Sequence, residues 1–363
     1  MTKSIAIVGT VGIPASYGGF ETLAENLTRF HRDEELPNRL TIYCSAKSYP
    51  DRPETYLSAE LRYINLSANG ASSILYDAIS LFSAAFRRYD VVLLLGVSGA
   101  IAVPLLRLFF NIRIVTNVDG MEWKRAKWSG LARCFLRLSE WLAVCASHEV
   151  IADNKGIAEH VATVYGRACH VVAYGGDHAI RTKPKPYEGR TLPSQYVFAL
   201  GRIEPENNVE IILDAFARMP YMPLVFVGNW NYGPYGRRMK ERFESLNNLY
   251  LLDSIYDRGI LRSLRGGASL YVHGHSAGGT NPSLVEMMHF GLPIIAYDSI
   301  FNRYTTEGRA LFFMDADSLQ AKINSLTPIQ GSAVGAEMRR IALQRYTWDE
   351  IGRLYFELLG GGR

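Results

Sequence analysis

Residues 269–297 read Ser269-Leu-Tyr-Val-His-Gly-His-Ser-Ala-Gly-Gly-Thr-Asn-Pro-Ser-Leu-Val-Glu-Met-Met-His-Phe-Gly-Leu-Pro-Ile-Ile-Ala-Tyr297. The apolar run Ser269–Val272 predicts a strand, and a loop with three glycines follows. Pro282 suits a first helical turn and Gly291 a helix end. Strand, glycine loop and helix in this order form the phosphate-binding unit of a parallel sheet. Glycines at 274, 278 and 279 let backbone N–H groups approach an anion, and the helix turns its positive end toward it. Glu286, one turn into that helix, would repel a phosphate, so we assign it to sugar hydroxyls, as dinucleotide folds use an acidic residue for ribose. The stretch therefore points to a nucleotide carrying a sugar. Glycine loops also end strands for turn geometry alone, so the rest of the chain must decide.

Working outward, the same grammar recurs. Ser4–Gly9 predicts a strand, residues 10–19 a loop containing Gly12, Gly18 and Gly19, and Phe20–His31 a helix with Leu23, Leu27 and Phe30 inward. The glycine spacing does not fit the dinucleotide fingerprint, so no NAD site is read. Further strands are expected at Leu40–Ser45, Leu61–Leu66, Val91–Leu95, Arg113–Val118, Glu149–Ala152 and His170–Ala173. Helices are expected at Ser73–Phe86 and Leu131–Val144. The polar, proline-rich segment Arg181–Pro193 reads as a linker. Beyond it strands at Tyr196–Leu200, Pro223–Val227, Leu249–Leu252, Pro293–Tyr297 and Ala310–Met314 alternate with helices at Val209–Met219, Tyr235–Ser245 and Arg258–Gly266. Alternation in both halves predicts an α/β protein of two doubly wound parallel sheets facing a cleft.

Composition narrows the function classes. The chain has 363 residues, 48% hydrophobic and 20% charged, which suits two globular domains. A net charge of +4 is too mild for a nucleic-acid binder. The cysteines Cys44, Cys134, Cys145 and Cys169 lie far apart, so neither a zinc knuckle nor a redox pair is read, and a reducing cytoplasm is the expected compartment. The N-terminus lacks the pattern of a signal peptide. Val91–Leu106 is uncharged but too short and too broken by glycine and proline to span a bilayer. We read no metal triad and no Asp-x-Asp metal motif.

Five stretches together resemble the family 4 glycosyltransferases of GT-B architecture: Ser16–Glu21, Asp119–Arg125, Gly201–Asn208, Gly278–Glu286 and Tyr346–Asp349. The resemblance spans nearly the whole chain and is strongest to a bacterial polysaccharide subgroup that includes rhamnosyl transfer. It implies an acceptor domain over 1–178, a nucleotide-sugar donor domain over 179–345, and a C-terminal helix over 346–363 returning to the first domain. Implied donor contacts are Gly18, Gly19, Arg202, Asn208, His275, Gly278, Gly279, Thr280, Asn281 and Glu286, with Arg202 on the diphosphate. Implied acceptor contacts are Tyr17, Asp119, Glu122, Trp123 and Arg125, and the catalytic set is Asp119, Glu122 and Arg202. The implied activity is a metal-independent, cofactor-free transfer with retention. Its donor is a dTDP- or UDP-sugar, with rhamnose from dTDP-rhamnose the first choice, and its acceptor a saccharide, lipid-linked through polyprenyl diphosphate, at the inner face of a bacterial membrane.

The sequence departs from the family in three places. Asn208 stands where most members have lysine, Gly278 where they have the first of two glutamates, and Asp119 ends a strand near which many have histidine. These departures motivate a rival reading as a non-catalytic nucleotide- or sugar-binding module; a sugar epimerase is disfavoured because its acid-rich constellation is missing. Plainer readings also stand beside each residue. Arg202 could be a surface ion-pair partner, Asp119-Gly120 a turn dipeptide, and Trp123 and Trp128 core aromatics. The stripe Leu131, Phe135, Leu138, Leu142 reads as core packing. Its neighbours Lys124, Arg125, Lys127, Arg133 and Arg137 would allow peripheral contact with anionic lipid.

Overall fold

The computed structural model describes residues 2–15, 18–70, 72–121, 123 and 130–360. Its strands are β1 (Ser4–Val8), β2 (Arg39–Ser45), β3 (Thr55–Tyr56), β4 (Ala59–Ile64), β5 (Val91–Leu95), β6 (Arg113–Asn117), β7 (Glu149–Ala152), β8 (His170–Val171), β9 (Val197–Leu200), β10 (Leu224–Val227), β11 (Leu249–Leu252), β12 (Leu270–His273), β13 (Ile294–Tyr297) and β14 (Leu311–Phe313). Its helices are α1 (Gly19–Asp33), α2 (Ser72–Phe86), α3 (Val103–Phe109), α4 (Gly130–Ala146), α5 (Lys155–Tyr165), α6 (His178–Arg181), α7 (Val209–Ala217), α8 (Pro234–Phe243), α9 (Arg258–Gly266), α10 (Pro282–Met288), α11 (Ile300–Thr305), α12 (Ala316–Ser325), α13 (Pro328–Arg345) and α14 (Trp348–Gly360). The chain divides into two compact units, residues 1–173 with 348–363, and residues 174–347.

In the first unit the strand order is β3-β4-β2-β1-β5-β6-β7-β8, parallel except for β3 against β4. The central strands are apolar on both faces, and all five residues of β5, Val-Val-Leu-Leu-Leu, are buried, as a sheet covered on two sides requires. The final helix α14 belongs to this unit. Phe356 stacks on Phe30 of α1 at 5.9 Å, and Asn117 Nδ2 at the end of β6 donates to the Tyr355 hydroxyl at 2.6 Å.

Helix α4 corrects one expectation. Leu136, Ser139, Glu140, Ala143 and Val144 form its inner face, whereas Leu131 is 88% and Leu138 48% exposed. The apolar stripe seen in the sequence thus lies beside the core instead of in it, because Glu140 is drawn inside by three hydrogen-bond donors. These are Trp123 Nε1 (2.9 Å), His160 Nε2 (3.0 Å) and the Tyr165 hydroxyl (2.7 Å).

In the second unit the order is β11-β10-β9-β12-β13-β14, all parallel. Its core packs Val197, Leu224, Phe226, Val272 and Ile295 of the sheet against Ile212, Leu213 and Phe216 of α7. Each such side chain contributes roughly 1.5–3 kcal/mol on burial. The turn at 174–177 and helix α6 sit in this unit: the Gly176 N–H donates to the Tyr346 carbonyl at 2.8 Å, and His178 reaches α10. β9 has β10 on one side and β12 on the other, so the crossovers change direction between β9 and β12. That is the switch point at which loops part and ligands of open α/β sheets bind.

Candidate active site

Both loops that the sequence singled out in the second half leave the sheet at this switch point, and side-chain amides tie them together. Asn208, after β9, adopts a left-handed backbone (φ 49°, ψ 36°), a conformation asparagine tolerates better than most residues. Its Nδ2 donates to the Gly274 carbonyl at 2.8 Å. Asn207 Nδ2 donates to the Arg202 carbonyl at 2.7 Å, turning its Oδ1 toward His275 Nδ1 at 2.6 Å. An acceptor at that distance places the imidazole proton on Nδ1. Ser276 N–H and Oγ both donate to the Glu206 carbonyl, at 3.0 and 2.8 Å. Asn302 Nδ2 donates to the carbonyls of His275 and Tyr297, each at 2.8 Å, and Asn229 Oδ1 accepts from the Ile203 N–H at 2.6 Å. Of these, Asn207, Asn229 and Asn302 escaped the sequence reading, because asparagine in a loop signals only a turn until its partner is known.

Arg202 lies on the rim, its side chain 37% exposed and its Nε 3.8 Å from Glu204 Oε2. Gly278 has φ +96°, where a side chain is strained, so the position of the family's first glutamate has a backbone suited to glycine. Gly279 follows it, and Thr280 is buried. Asn281 is the N-cap of α10: its Oδ1 accepts from Ser283 N (3.0 Å) and Oγ (2.7 Å). Pro282 then opens the helix without an N–H to satisfy.

Glu286 sits one turn further and is already engaged. Arg265 of α9, itself 5% exposed, binds its Oε2, and His178 Nε2 donates to Oε1 at 3.1 Å. Burial pushes this carboxyl up, but Arg265, the His178 hydrogen bond and Arg258 outweigh it and hold it well below the usual carboxylate range. It is therefore a carboxylate with a hydrogen-bond or ion-pair partner on each oxygen. Neither partner was legible: α6 and α9 reach Glu286 only through tertiary packing.

The first unit has its own switch point, between β1 and β5, and its β1–α1 loop is organised differently. Glu21 Oε1 accepts from Thr10 Oγ1 (3.1 Å) and the Val11 N–H (2.8 Å), and Glu25 Oε2 accepts from the Ala15 N–H (2.9 Å). Gly18, at φ +124°, caps α1 so closely that a Cβ would lie 1.8 Å from Glu21 Oε2. Gly19 begins the helix and is exposed. At the end of β6 Asp119 has φ 56°, and its N–H donates to Asn117 Oδ1 at 2.9 Å. Trp123 turns its Nε1 to Glu140, and Arg137 covers its ring at 5.0 Å. Tyr17, Glu122 and Arg125 lie outside the described residues, as do Lys124, Lys127 and Trp128.

Asp-x-Asp does occur once, contrary to our reading of the sequence, at Asp315–Asp317. Asp315 Oδ1 accepts from Ser318 N at 2.8 Å as the N-cap of α12, and Asp317 pairs with Arg218. Both aspartates thus have structural partners.

Comparison with known proteins agrees with this geometry. Residues 182–329 match the family Glycosyl transferases group 1, and residues 2–177 match Domain of unknown function (DUF1972). No curated protein matches. Among solved structures the chain is similar to sucrose-phosphate synthase from Thermosynechococcus elongatus, with a TM-score of 0.80 at 17% identity over 99% of this chain and 100% of that one. It is also similar to a glycosyltransferase from Rickettsia africae, with a TM-score of 0.73 at 14% identity over 99% and 98%. HepE from Anabaena in complex with UDP gives a TM-score of 0.69 at 17% identity over 99% and 100%, and the same protein is known in complex with UDP-glucose. Residues 182–329 are thus a glycosyl transferases group 1 domain, and the chain that carries it is a glycosyltransferase of GT-B fold.

Proposed function

We propose that the chain moves a sugar from a nucleotide diphosphate donor to a hydroxyl of a saccharide acceptor, with retention of configuration and without a metal ion. The observation that carries this reading is the pairing of Gly201–Asn208 with Gly274–Asn281 at the switch point of the second sheet. Arg202 stands at their rim and the N-terminus of α10 beside them. The second unit is the donor domain in this reading. Arg202 and the loop N–H groups around Gly278 and Gly279 bind the diphosphate, while Glu286, His275, Thr280 and Asn281 serve sugar hydroxyls. HepE binds UDP and UDP-glucose, which supports a pyrimidine nucleotide. The sequence resemblance favours rhamnose from dTDP-rhamnose, a 6-deoxy sugar whose missing hydroxyl matches the glycine at 278.

The first unit is the acceptor domain, where Asp119 and Glu122 orient the attacking hydroxyl, and Tyr17, Trp123 and Arg125 hold the saccharide. The acceptor oxygen bonds to the anomeric carbon as the bond from that carbon to the diphosphate breaks. The electron pair leaves with the diphosphate, and the hydroxyl proton passes to the departing phosphate oxygen. Arg202 stabilises the charge that develops there. A lipid-linked saccharide is the acceptor class.

One pair of observations favours a second reading, a binding module without turnover: Asn208 spends its amide on Gly274 and brings no positive charge, and Gly278 brings no carboxylate. Release of nucleoside diphosphate from dTDP-rhamnose and UDP-glucose, with lipid-linked saccharides present, separates the two. Transfer predicts release by the native protein and at least a hundredfold loss in Arg202→Ala. Binding without release would select the module.

A further inference from the structure

We propose that the outer face of α2, α3 and α4 in the first unit docks on an anionic lipid bilayer. The three helices lie on one side of the sheet, between β4 and β7 in the chain, and pack beside one another. Their outward residues are apolar at helical spacing. Leu105, Leu108 and Phe109 project from α3, with Leu108 74% and Phe109 70% exposed. Leu131, Leu138 and Trp141 project from α4, and the exposed thiols of Cys134 and Cys145 fall on the same stripe. Phe86 extends the face at the end of α2. Water-exposed leucines and phenylalanines on adjoining elements mark a surface that is covered in use.

The charges decide what covers it. Every exposed charged side chain on these three helices is an arginine, namely Arg107, Arg133 and Arg137, while their acidic residues, Asp77 and Glu140, are each only 3% exposed. Arg107 Nη1 donates to the Ala146 carbonyl at 3.0 Å, linking α3 to α4 at the rim of the face. Apolar residues on helices whose exposed charges are all arginine suit a layer whose headgroups are negative and whose interior is hydrocarbon: leucine and phenylalanine enter the acyl boundary and the guanidinium groups remain among the phosphates. A second copy of the chain fits poorly, because a symmetric dimer through this face would set arginines against arginines with no exposed carboxylate on these helices to offset them. No helix among the described residues is long and apolar enough to cross a membrane, so the contact is peripheral.

The inference deepens the lipid-linked acceptor and rests on that reading for its purpose, but on residues separate from the donor site. It is tested by floating the full chain with vesicles of phosphatidylglycerol and phosphatidylcholine in equal parts, and with phosphatidylcholine alone. The protein should float with the anionic vesicles at low salt and be partly released by high salt. Leu108→Gln with Leu131→Gln should weaken binding by on the order of tenfold for each leucine, with the thermal midpoint and the nucleotide response unchanged. Arg133→Gln with Arg137→Gln should weaken it by about fivefold per arginine. A native protein that stays unbound at low salt overturns the proposal, as does flotation indifferent to the leucine pair. Sedimentation showing a dimer that the leucine pair dissolves would assign the face to a second copy. A protein that floats but ignores nucleotides would contradict the proposed function and leave this docking surface standing.

Discussion

The β1–α1 loop of the first unit and the β12–α10 loop of the second share one sequence pattern, a strand, a glycine-rich turn and a helix, but different side chains hold them. In the first, carboxylates of the following helix reach back and take the loop's N–H groups: Glu21 binds Val11 and Glu25 binds Ala15. The loop carries its own anion. In the second, amides hold the loop by its carbonyls, Asn208 on Gly274 and Asn302 on His275, and the nearby carboxylate, Glu286, is neutralised by Arg265 and hydrogen-bonded by His178. The Ser276 N–H is spent on the Glu206 carbonyl, so in the proposed function it is the N–H groups at Gly278 and Gly279 that serve an outside anion. Glycine spacing announces a tight turn near a helix N-terminus; the side-chain partners decide whether the anion is built in or brought by a ligand.

The largest expected effect breaks the second arrangement. Arg265→Ala leaves Glu286 with less compensation in a desolvated place and should cost about 3 kcal/mol in urea unfolding at neutral pH. The sign with pH follows from the depressed folded-state value of Glu286. Its stabilisation is present above the ordinary value of 4.5 and lost as pH falls through the folded value. The gap between native protein and Arg265→Ala should therefore narrow in acid.

Glu21 should behave in the opposite sense. Burial pushes its carboxyl up, and the hydrogen bonds from Val11 and Thr10 offset only part of that. A raised acid stabilises the fold below its ordinary value of 4.5 and loses that contribution as pH rises through the folded value. Glu21→Gln should therefore be neutral to stabilising at pH 7, whereas Glu286→Gln should destabilise there. Thermal midpoints of both variants across the acid range would show slopes of opposite sign; equal slopes would mean that the two loops are not organised as described.

Smaller effects sharpen the picture. Gly278→Ala places a side chain at φ +96° and should lower stability by about 1 kcal/mol. Nucleotide binding should weaken with it, because the loop would have to turn. Asn208→Lys restores the residue that most members of the resembled family carry. It trades the amide bond to Gly274 for a charge, and calorimetry should show nucleotide binding tightened by about two- to fivefold, at the expense of a lower thermal midpoint.

Much of this was readable beforehand, and the misses have physical causes. The parallel β/α alternation and both glycine loops follow from apolar runs and turn residues, which act locally. The exposure of α4 does not: a period of 3.6 says that Leu131 and Leu138 share a face, not that the face is buried. The choice was made by Trp123, His160 and Tyr165 drawing Glu140 inward. Helix α13, unread in the sequence, did carry a signal in Thr327-Pro328-Ile329-Gln330, a capping box with proline in the first turn. Asp315–Asp317 shows the reverse case, a motif spacing used to start a helix. Glu286 was read one turn into the helix after the glycine loop, and it lies there in α10, while the partners around it waited on the folding of α6 and α9 against α10.

The central claim is that the loops at the switch point of the second sheet hold the donor diphosphate through Arg202. Its most direct test is a thermal-shift panel of dTDP, UDP, GDP and ADP on the native protein and on Arg202→Ala. A ligand that binds only the folded state raises the midpoint in proportion to RT ln(1 + [L]/Kd). The account predicts that dTDP or UDP raises the native midpoint and leaves Arg202→Ala unmoved. A native protein that ignores all four at millimolar concentration, or an Arg202→Ala protein that responds as strongly as the native one, would contradict it.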